Sequence, residues 1–185
     1  VTTWQSVAPG SSHVLARRSN GTIWVWGRNS DGQLGTGNTT NVSSPTQIGT
    51  ATNWQSIGAG GAHSLAIKTN GTLWTWGNNS DGQLGNGNTS DLLSPTQIGT
   101  ATNWQSVEGG SDHTLARKTD GDLYAWGDNF YEQLGLNYVD AIVPTEIACP
   151  ASLFIPASCW QNVVKGRDHT VATKTDGTLW SWGLN

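Results

Sequence analysis

Apolar and polar residues alternate in short runs along this chain, and no stretch carries the spacing of a useful amphipathic helix. Residues 63–69 (His-Ser-Leu-Ala-Ile-Lys-Thr) and 72–77 (Thr-Leu-Trp-Thr-Trp-Gly) are rich in β-branched and aromatic types, which predicts two strands. Asn70-Gly71 between them predicts a type I′ hairpin turn with both residues at positive φ. A further strand is expected around Trp54–Ile57 and another around Ser94–Ile98, where Pro95 is tolerable at an outer edge that needs no ladder donor. Within 72–77, Leu73 and Thr75 point to one face while Trp74 and Trp76 point to the other. Both faces therefore need cover. A two-layer sandwich would leave one face polar, whereas sheets stacked around an axis bury both.

The same pattern recurs four times. Trp4, Trp54, Trp104 and Trp160 open matching phrases, at intervals of 50, 50 and 56 residues. Each phrase is followed by Gly10, Gly60, Gly110 or Gly166 and, three residues on, by His13, His63, His113 or His169. Then come an Asn-Gly or Asp-Gly pair and Trp26, Trp76, Trp126 or Trp182 with glycine next. The first three units continue with Gln-Leu-Gly, at 33–35, 83–85 and 133–135, and with Pro-Thr at 45–46, 95–96 and 144–145. Four short strands per fifty residues is the size of a propeller blade. The expected fold is all-β, a single repeat domain over 1–185 with units near 1–50, 51–100, 101–156 and 157–185, the last truncated. That is an arc of three full blades of four antiparallel strands plus most of a fourth.

The phrases Gly-Gly-Ala-His-Ser-Leu-Ala at 60–66, Asn-Gly-Thr-Leu-Trp-Thr-Trp-Gly at 70–77 and Gly-Gln-Leu-Gly at 82–85 resemble the regulator-of-chromosome-condensation repeat. The resemblance covers essentially the whole chain. It implies four antiparallel strands per blade and usually a closed ring of seven blades. It also implies a life spent binding macromolecules: the family includes a nucleotide exchange factor for a small GTPase, chromatin-bound proteins, and secreted bacterial proteins, one of which inhibits β-lactamases through its propeller face. Seven blades need roughly twice this length. An open arc leaves a blade face of Trp and Leu and unpaired strand edges exposed, so cover is expected from the rest of a longer chain or from another copy.

Composition narrows the partners. The 185 residues carry 9 Lys+Arg against 13 Asp+Glu, a net charge of −4, which argues against a nucleic-acid partner or an anionic lipid surface. Charge is uneven: residues 1–103 hold four bases and three acids, residues 104–185 five bases and ten acids. No apolar run approaches the roughly 20 residues of a membrane span, so no membrane insertion is expected. Val1 is not an initiator, and no signal peptide precedes it, so the expectation is a processed product or a piece of a longer chain.

Few residues invite a chemical reading. The four histidines occupy equivalent places in successive blades, too far apart to share one metal. Their expected work is structural, hydrogen bonding to nearby backbone, and Trp26, Trp76, Trp126 and Trp182 are expected to be core. Ser12, Ser64 and Ser111 lie near histidines at differing offsets, and no Gly-x-Ser-x-Gly elbow occurs, so no hydrolase is expected. Asn79-Ser80-Asp81-Gly82-Gln83 lacks the bidentate Glu of a calcium loop and reads as a repeated turn, with the recurring Asn29, Asn79, Asn129 and Asn185 capping backbone. Neither a catalytic set nor a cofactor is expected.

Cys149 and Cys159 bracket an insertion that lengthens the third repeat. A disulfide there would staple a loop with little core of its own and points outside the cytosol; two free thiols are the alternative. Where the first two units carry Ser-Asp-Gly, the third carries Phe130-Tyr131-Glu132, and Tyr138 follows where the others have Thr. With Leu153 and Phe154 of the cysteine loop these form a candidate partner-contact patch; the alternative is that they pack the insertion against blade three. The function expected is thus a non-catalytic protein-binding module, extracellular or at the cell surface, binding a protein partner or another copy of itself. Alternatives are a regulator of a small GTPase acting as exchange factor and a secreted enzyme inhibitor.

Overall fold

A computed structural model describes residues 1–136, 139–149 and 159–184. Among these every regular element is a strand. Blade 1 comprises β1 (Trp4–Pro9), β2 (His13–Arg18), β3 (Ile23–Gly27) and β4 (Val42–Gln47). Blade 2 comprises β5 (Trp54–Ala59), β6 (His63–Lys68), β7 (Leu73–Gly77) and β8 (Leu92–Ile98). Blade 3 comprises β9 (Trp104–Gly109), β10 (His113–Lys118), β11 (Leu123–Gly127) and β12 (Ala141–Glu146), and blade 4 comprises β13 (Trp160–Lys165), β14 (His169–Lys174) and β15 (Leu179–Gly183). Each blade is an antiparallel meander in chain order. The first strands meet blade to blade, β1 with β5, β5 with β9 and β9 with β13, so they line the inside of an open arc.

The hairpin between the second and third strands differs from the expected turn. Gly71 is left-handed (φ 74°) while Asn70 is not, and Gly71 N–H donates to Lys68 O at 2.8 Å. This is a type I turn closed by a glycine bulge, not type I′. The cause is local: Asn70 Oδ1 accepts from Thr72 Oγ1 at 2.8 Å and from Thr72 N, a bond that replaces the second left-handed residue. The turn also seats the next blade. Gly71 O accepts from Trp104 N at 3.1 Å, and a Cβ on Gly71 would collide with Thr102 O.

Both sheet faces are indeed consumed by packing, and in a fixed polarity. Leu15, Ile23 and Val25 of blade 1 bury against Trp54, Ala66 and Trp76 of blade 2. Leu65, Ile67 and Leu73 of blade 2 bury in turn against Trp104, Ala116 and Trp126 of blade 3. Leu115, Leu123 and Ala125 of blade 3 meet Trp160, Val163 and Ala172 of blade 4. Every blade thus has a leucine face and a tryptophan face, and each junction joins one to the other. At the two ends a face is left over: Trp4 and Val7 of blade 1 are 47% and 60% exposed, and Leu179 of blade 4 is 70% exposed.

Candidate interaction surface

His13, His63 and His113 and Trp76, Trp126 and Trp182 belong to the junctions, whereas His169 is exposed on blade 4 and Trp26 is half-buried on the open face of blade 1. His13 Nε2 lies 2.9 Å from Ser64 Oγ in the next blade, and Ser64 Oγ donates to Gln33 O at 2.7 Å. Since that hydroxyl spends its only hydrogen on the carbonyl, the imidazole must be the donor to it, which makes the ring the Nε2–H tautomer. The second junction repeats the relay, with His63 Nε2 3.0 Å from Thr114 Oγ1 and Thr114 donating to Gln83 O at 2.8 Å. Trp76, Trp126 and Trp182 add indole N–H bonds to Gln33 O, Gln83 O and Gln133 O at 3.0, 2.9 and 3.0 Å. His13 and His63 therefore bond to a hydroxyl of the neighbouring blade rather than to backbone, because the position after the histidine carries Ser in blade 2 and Thr in blade 3. At the third junction Thr170 keeps its bond to Gln133 O, while neither ring nitrogen of His113 finds a partner. Burial pushes the His13, His63 and His113 pKa values down, to about 4, about 3 and about 4. The rings also press on glycine: a Cβ on Gly60 would strike both the His63 ring and Gly110 O. Among the described residues no three His, Cys, Asp or Glu side chains gather as a metal would require.

Each blade's long loop is tied internally by its asparagine. Asn79 Oδ1 accepts from Leu84 N at 2.9 Å and Nδ2 donates to Asn88 O and Ser90 O at 2.9 and 3.0 Å. The tied loop then clamps the outer strand of the following blade. Gly37 N donates to Leu93 O and Gly87 N to Ile142 O, both at 2.9 Å. Gly32 and Gly82 lie so close to Leu93 and Ile142 that a Cβ would come within 3.0 and 2.9 Å of their Cα atoms. In blade 3 Glu132 occupies the glycine position at φ 61°, the one non-glycine residue with positive φ among the described residues. A left-handed Glu costs about 1 kcal/mol that glycine would avoid. Beside it Phe130 is 80% and Tyr131 43% exposed, their rings edge to face with centroids 5.0 Å apart.

The structure thus places Phe130, Tyr131 and Glu132 together on one exposed loop. Tyr138, Leu153 and Phe154 lie outside the described residues. Cys149 and Cys159 form a disulfide, with Cα atoms 6.1 Å apart and Cys159 buried in the blade 3–blade 4 core. Reducing it is expected to lower stability by about 2–3 kcal/mol, because it closes a loop of this length in the unfolded chain. Thermal unfolding with and without a reductant measures the loss; a Cys149→Ala/Cys159→Ala variant should match the reduced protein.

Residue-by-residue comparison of the blades shows a charge gradient that single motifs did not reveal. Where blade 1 has Arg28 and blade 2 Asn78, blade 3 has Asp128; where blades 1 and 2 have Ser12 and Ala62, blades 3 and 4 have Asp112 and Asp168. Burial pushes the Asp112 carboxyl up; the Ser111 hydrogen bond opposes this, and the nearby Asp81, Asp128 and Asp168 carboxylates add to it. The basic residues, in contrast, are mostly spent internally. Arg18, Lys68, Lys118 and Lys174 each lie over two aromatic rings of their own blade, Lys68 Nζ being 4.8 Å from the Trp54 centroid and 3.7 Å from that of Trp74. Arg17 and Arg117 reach the Trp54 and Trp160 carbonyls. Lys165 and Arg167 line the cleft at the inner ends of the first strands, beside Gly10, Gly60 and Gly110.

Comparison with known proteins agrees with this architecture. A family model described as the regulator of chromosome condensation (RCC1) repeat matches residues 20–67, 70–117 and 120–173, and a second model of the same description matches 4–33, 54–83 and 104–133. Human WBSCR16 is similar over 99% of this chain and 48% of its own, at 26% identity and a TM-score of 0.87. Yeast RCC1 (Prp20), in its complex with Kap60, is similar over 98% of this chain and 44% of its own, at 24% identity and a TM-score of 0.81. Prp20p from Saccharomyces cerevisiae, in a structure whose description also concerns binding to Gsp1p and histones, covers 98% of this chain and 45% of its own at 24% identity and a TM-score of 0.82. The chain spans about half the length of these structures.

Proposed function

Because the chain belongs to the regulator of chromosome condensation (RCC1) repeat family, we propose that it is a non-catalytic, protein-binding propeller module that works outside the cytosol and associates with a second copy of itself through its end faces. The observation that carries the reading is the polarity of the stack. Three junctions inside the chain join a leucine face to a tryptophan face, and one unused face of each kind remains. Trp4 and Val7 at one end and Leu179 at the other are exposed at positions that are buried in the interior blades or, at Ile57, half-buried. A partner copy supplies the missing complement to both. Val14 stands where the later blades carry Ser64, Thr114 and Thr170, so the tryptophan face of blade 1 is the more apolar for it. The Cys149–Cys159 disulfide supports an oxidising compartment.

Sedimentation equilibrium over a concentration series tests the association. The expected species has twice the mass of one chain, and Leu179→Arg and Val7→Arg are each expected to abolish it alone, since every contact needs one face of each kind. Mixing the two variants should restore a dimer through the one intact pairing. A folded chain that stays monomeric throughout would overturn self-association.

A further inference from the structure

We propose that the exposed aromatic loop of blade 3 is a docking surface for a basic, arginine-bearing segment of a partner protein. The proposal rests on the protein-binding reading and adds to it the chemistry of what is bound and where. In blades 1 and 2 this loop is committed to scaffolding: Gly32 and Gly82 fit against the next outer strand only because they lack a Cβ. Glu132 replaces the glycine in a left-handed conformation, and Phe130 and Tyr131 replace the Ser-Asp pair that the other loops use for hydrogen bonds among themselves. Any strand lying outside β15 would meet Glu132 where Leu93 and Ile142 meet glycine, so the loop cannot hold it in the same way.

Among the described residues nothing covers the pair: Phe130 is 80% exposed, and Val139 on the return of the same loop is 71% exposed. What covers it is indicated by charge. Glu132 and Asp140 are exposed on this loop, and Asp112, Asp128 and Asp168 lie half-buried on the same rim. The single salt bridge found among the described residues is Arg167 with Asp168, at 3.4 Å. Four of the nine basic side chains are stacked on the protein's own aromatics, and the donors to Asp112, Asp128 and Asp140 are neutral, so apart from Arg167 the described residues bring no cation to this rim. A guanidinium lies flat on an aromatic face while its edge bonds a carboxylate; an ammonium does only the second as well. Phe130 and Tyr131 beside Glu132 offer both functions within three consecutive residues.

Fluorescence anisotropy with labelled nona-arginine, nona-lysine and nona-glutamate tests this on the full chain. Nona-arginine is expected to bind more tightly than nona-lysine, with no binding of nona-glutamate and a loss of affinity as salt rises. Phe130→Ala/Tyr131→Ala and, separately, Glu132→Lys should each weaken nona-arginine about tenfold. Asp31→Lys, the same kind of charge change on the blade 1 loop, should change it less than about twofold. All four positions are on loop surface, and circular dichroism confirms that the variants fold. Equal losses from Asp31→Lys and Glu132→Lys, or no loss from removing the two rings, would overturn the proposal by showing diffuse attraction. The mass of each variant in the same samples separates the two readings: intact dimers without peptide binding sink this surface and leave the end faces standing.

Discussion

Trp76→Ala is expected to be the most destabilising single change in the chain, costing about 4 kcal/mol. Trp76 is fully buried at the first junction, packed with Leu15, Ile23, Val25 and Trp54, and its indole N–H bonds Gln33 O at 3.0 Å. The truncation opens a cavity between two sheets whose backbones are fixed by their own ladders and cannot close it. It also removes one of two donors to the Gln33 carbonyl, leaving Ser64 alone. A built-in comparison exists in Trp182, which makes the same bond to Gln133 O at 3.0 Å across the third junction but is only half-buried, because the described blade 4 has three strands and lacks the outer strand that flanks Trp76 in blade 2. Trp182→Ala should therefore cost about half as much. Urea unfolding of both variants measures the two losses. Equal losses would mean that the flanking outer strand adds nothing to the burial of the indole, and the account of the core would be wrong.

Acidification is expected to unfold the protein steeply from about pH 6 downward. His13, His63 and His113 have folded-state pKa values near 4, 3 and 4, against an ordinary value of 6.5. The first cause in each is loss of solvation; His63 is further opposed by His113, His13 and Lys165, and His113 by Lys165 and His169, though Asp128 favours its charge. The folded state therefore refuses a proton that the unfolded chain accepts. Stability from this source is complete above the unfolded pKa and is lost as pH falls below it, by about 1.4 kcal/mol per unit for each histidine, until the folded values are reached. Glu108 and Asp112, whose carboxyl pKa values burial pushes up, work in the opposite direction and blunt the slope. In His13 and His63, with Nε2–H engaged, a second proton would sit on Nδ1, which is buried without an acceptor, and in His113 neither ring nitrogen has a partner. His63→Gln keeps a donor for Thr114 and cannot titrate, so it should flatten the dependence by about a third. Denaturant midpoints that do not move between neutral pH and about pH 4.5 would refute the assignment.

The sheets were readable from the chain because strands of period two and a fifty-residue repeat reinforce one another. Leu73 with Thr75, and Trp74 with Trp76, already imply two buried faces. The turn type was not readable, since Asn-Gly serves both turns, and Thr72, two residues on, decided between them by capturing the Asn70 side chain. Nor was the hydroxyl partner of each histidine, because Ser64 lies 51 residues from His13 and only the arc brings them together. At the candidate surface, the substitution of Phe130-Tyr131-Glu132 for Ser-Asp-Gly stood out in the repeat comparison. The reason it matters did not: Gly32 must be glycine on account of Leu93, a contact between different blades. The acidic rim escaped for the same reason, although setting Arg28, Asn78 and Asp128 side by side would have shown it.

The fixed polarity of the junctions has an evolutionary corollary. Deleting residues 51–100 would carry Leu15 and Ile23 directly onto Trp104 and Trp126, which offer the side-chain types that Trp54 and Trp76 offered before. The first two seams are interchangeable, so whole units can be gained or lost there by in-frame duplication or excision of one genetic cassette, and the molecule lengthens or shortens without having to reinvent a core.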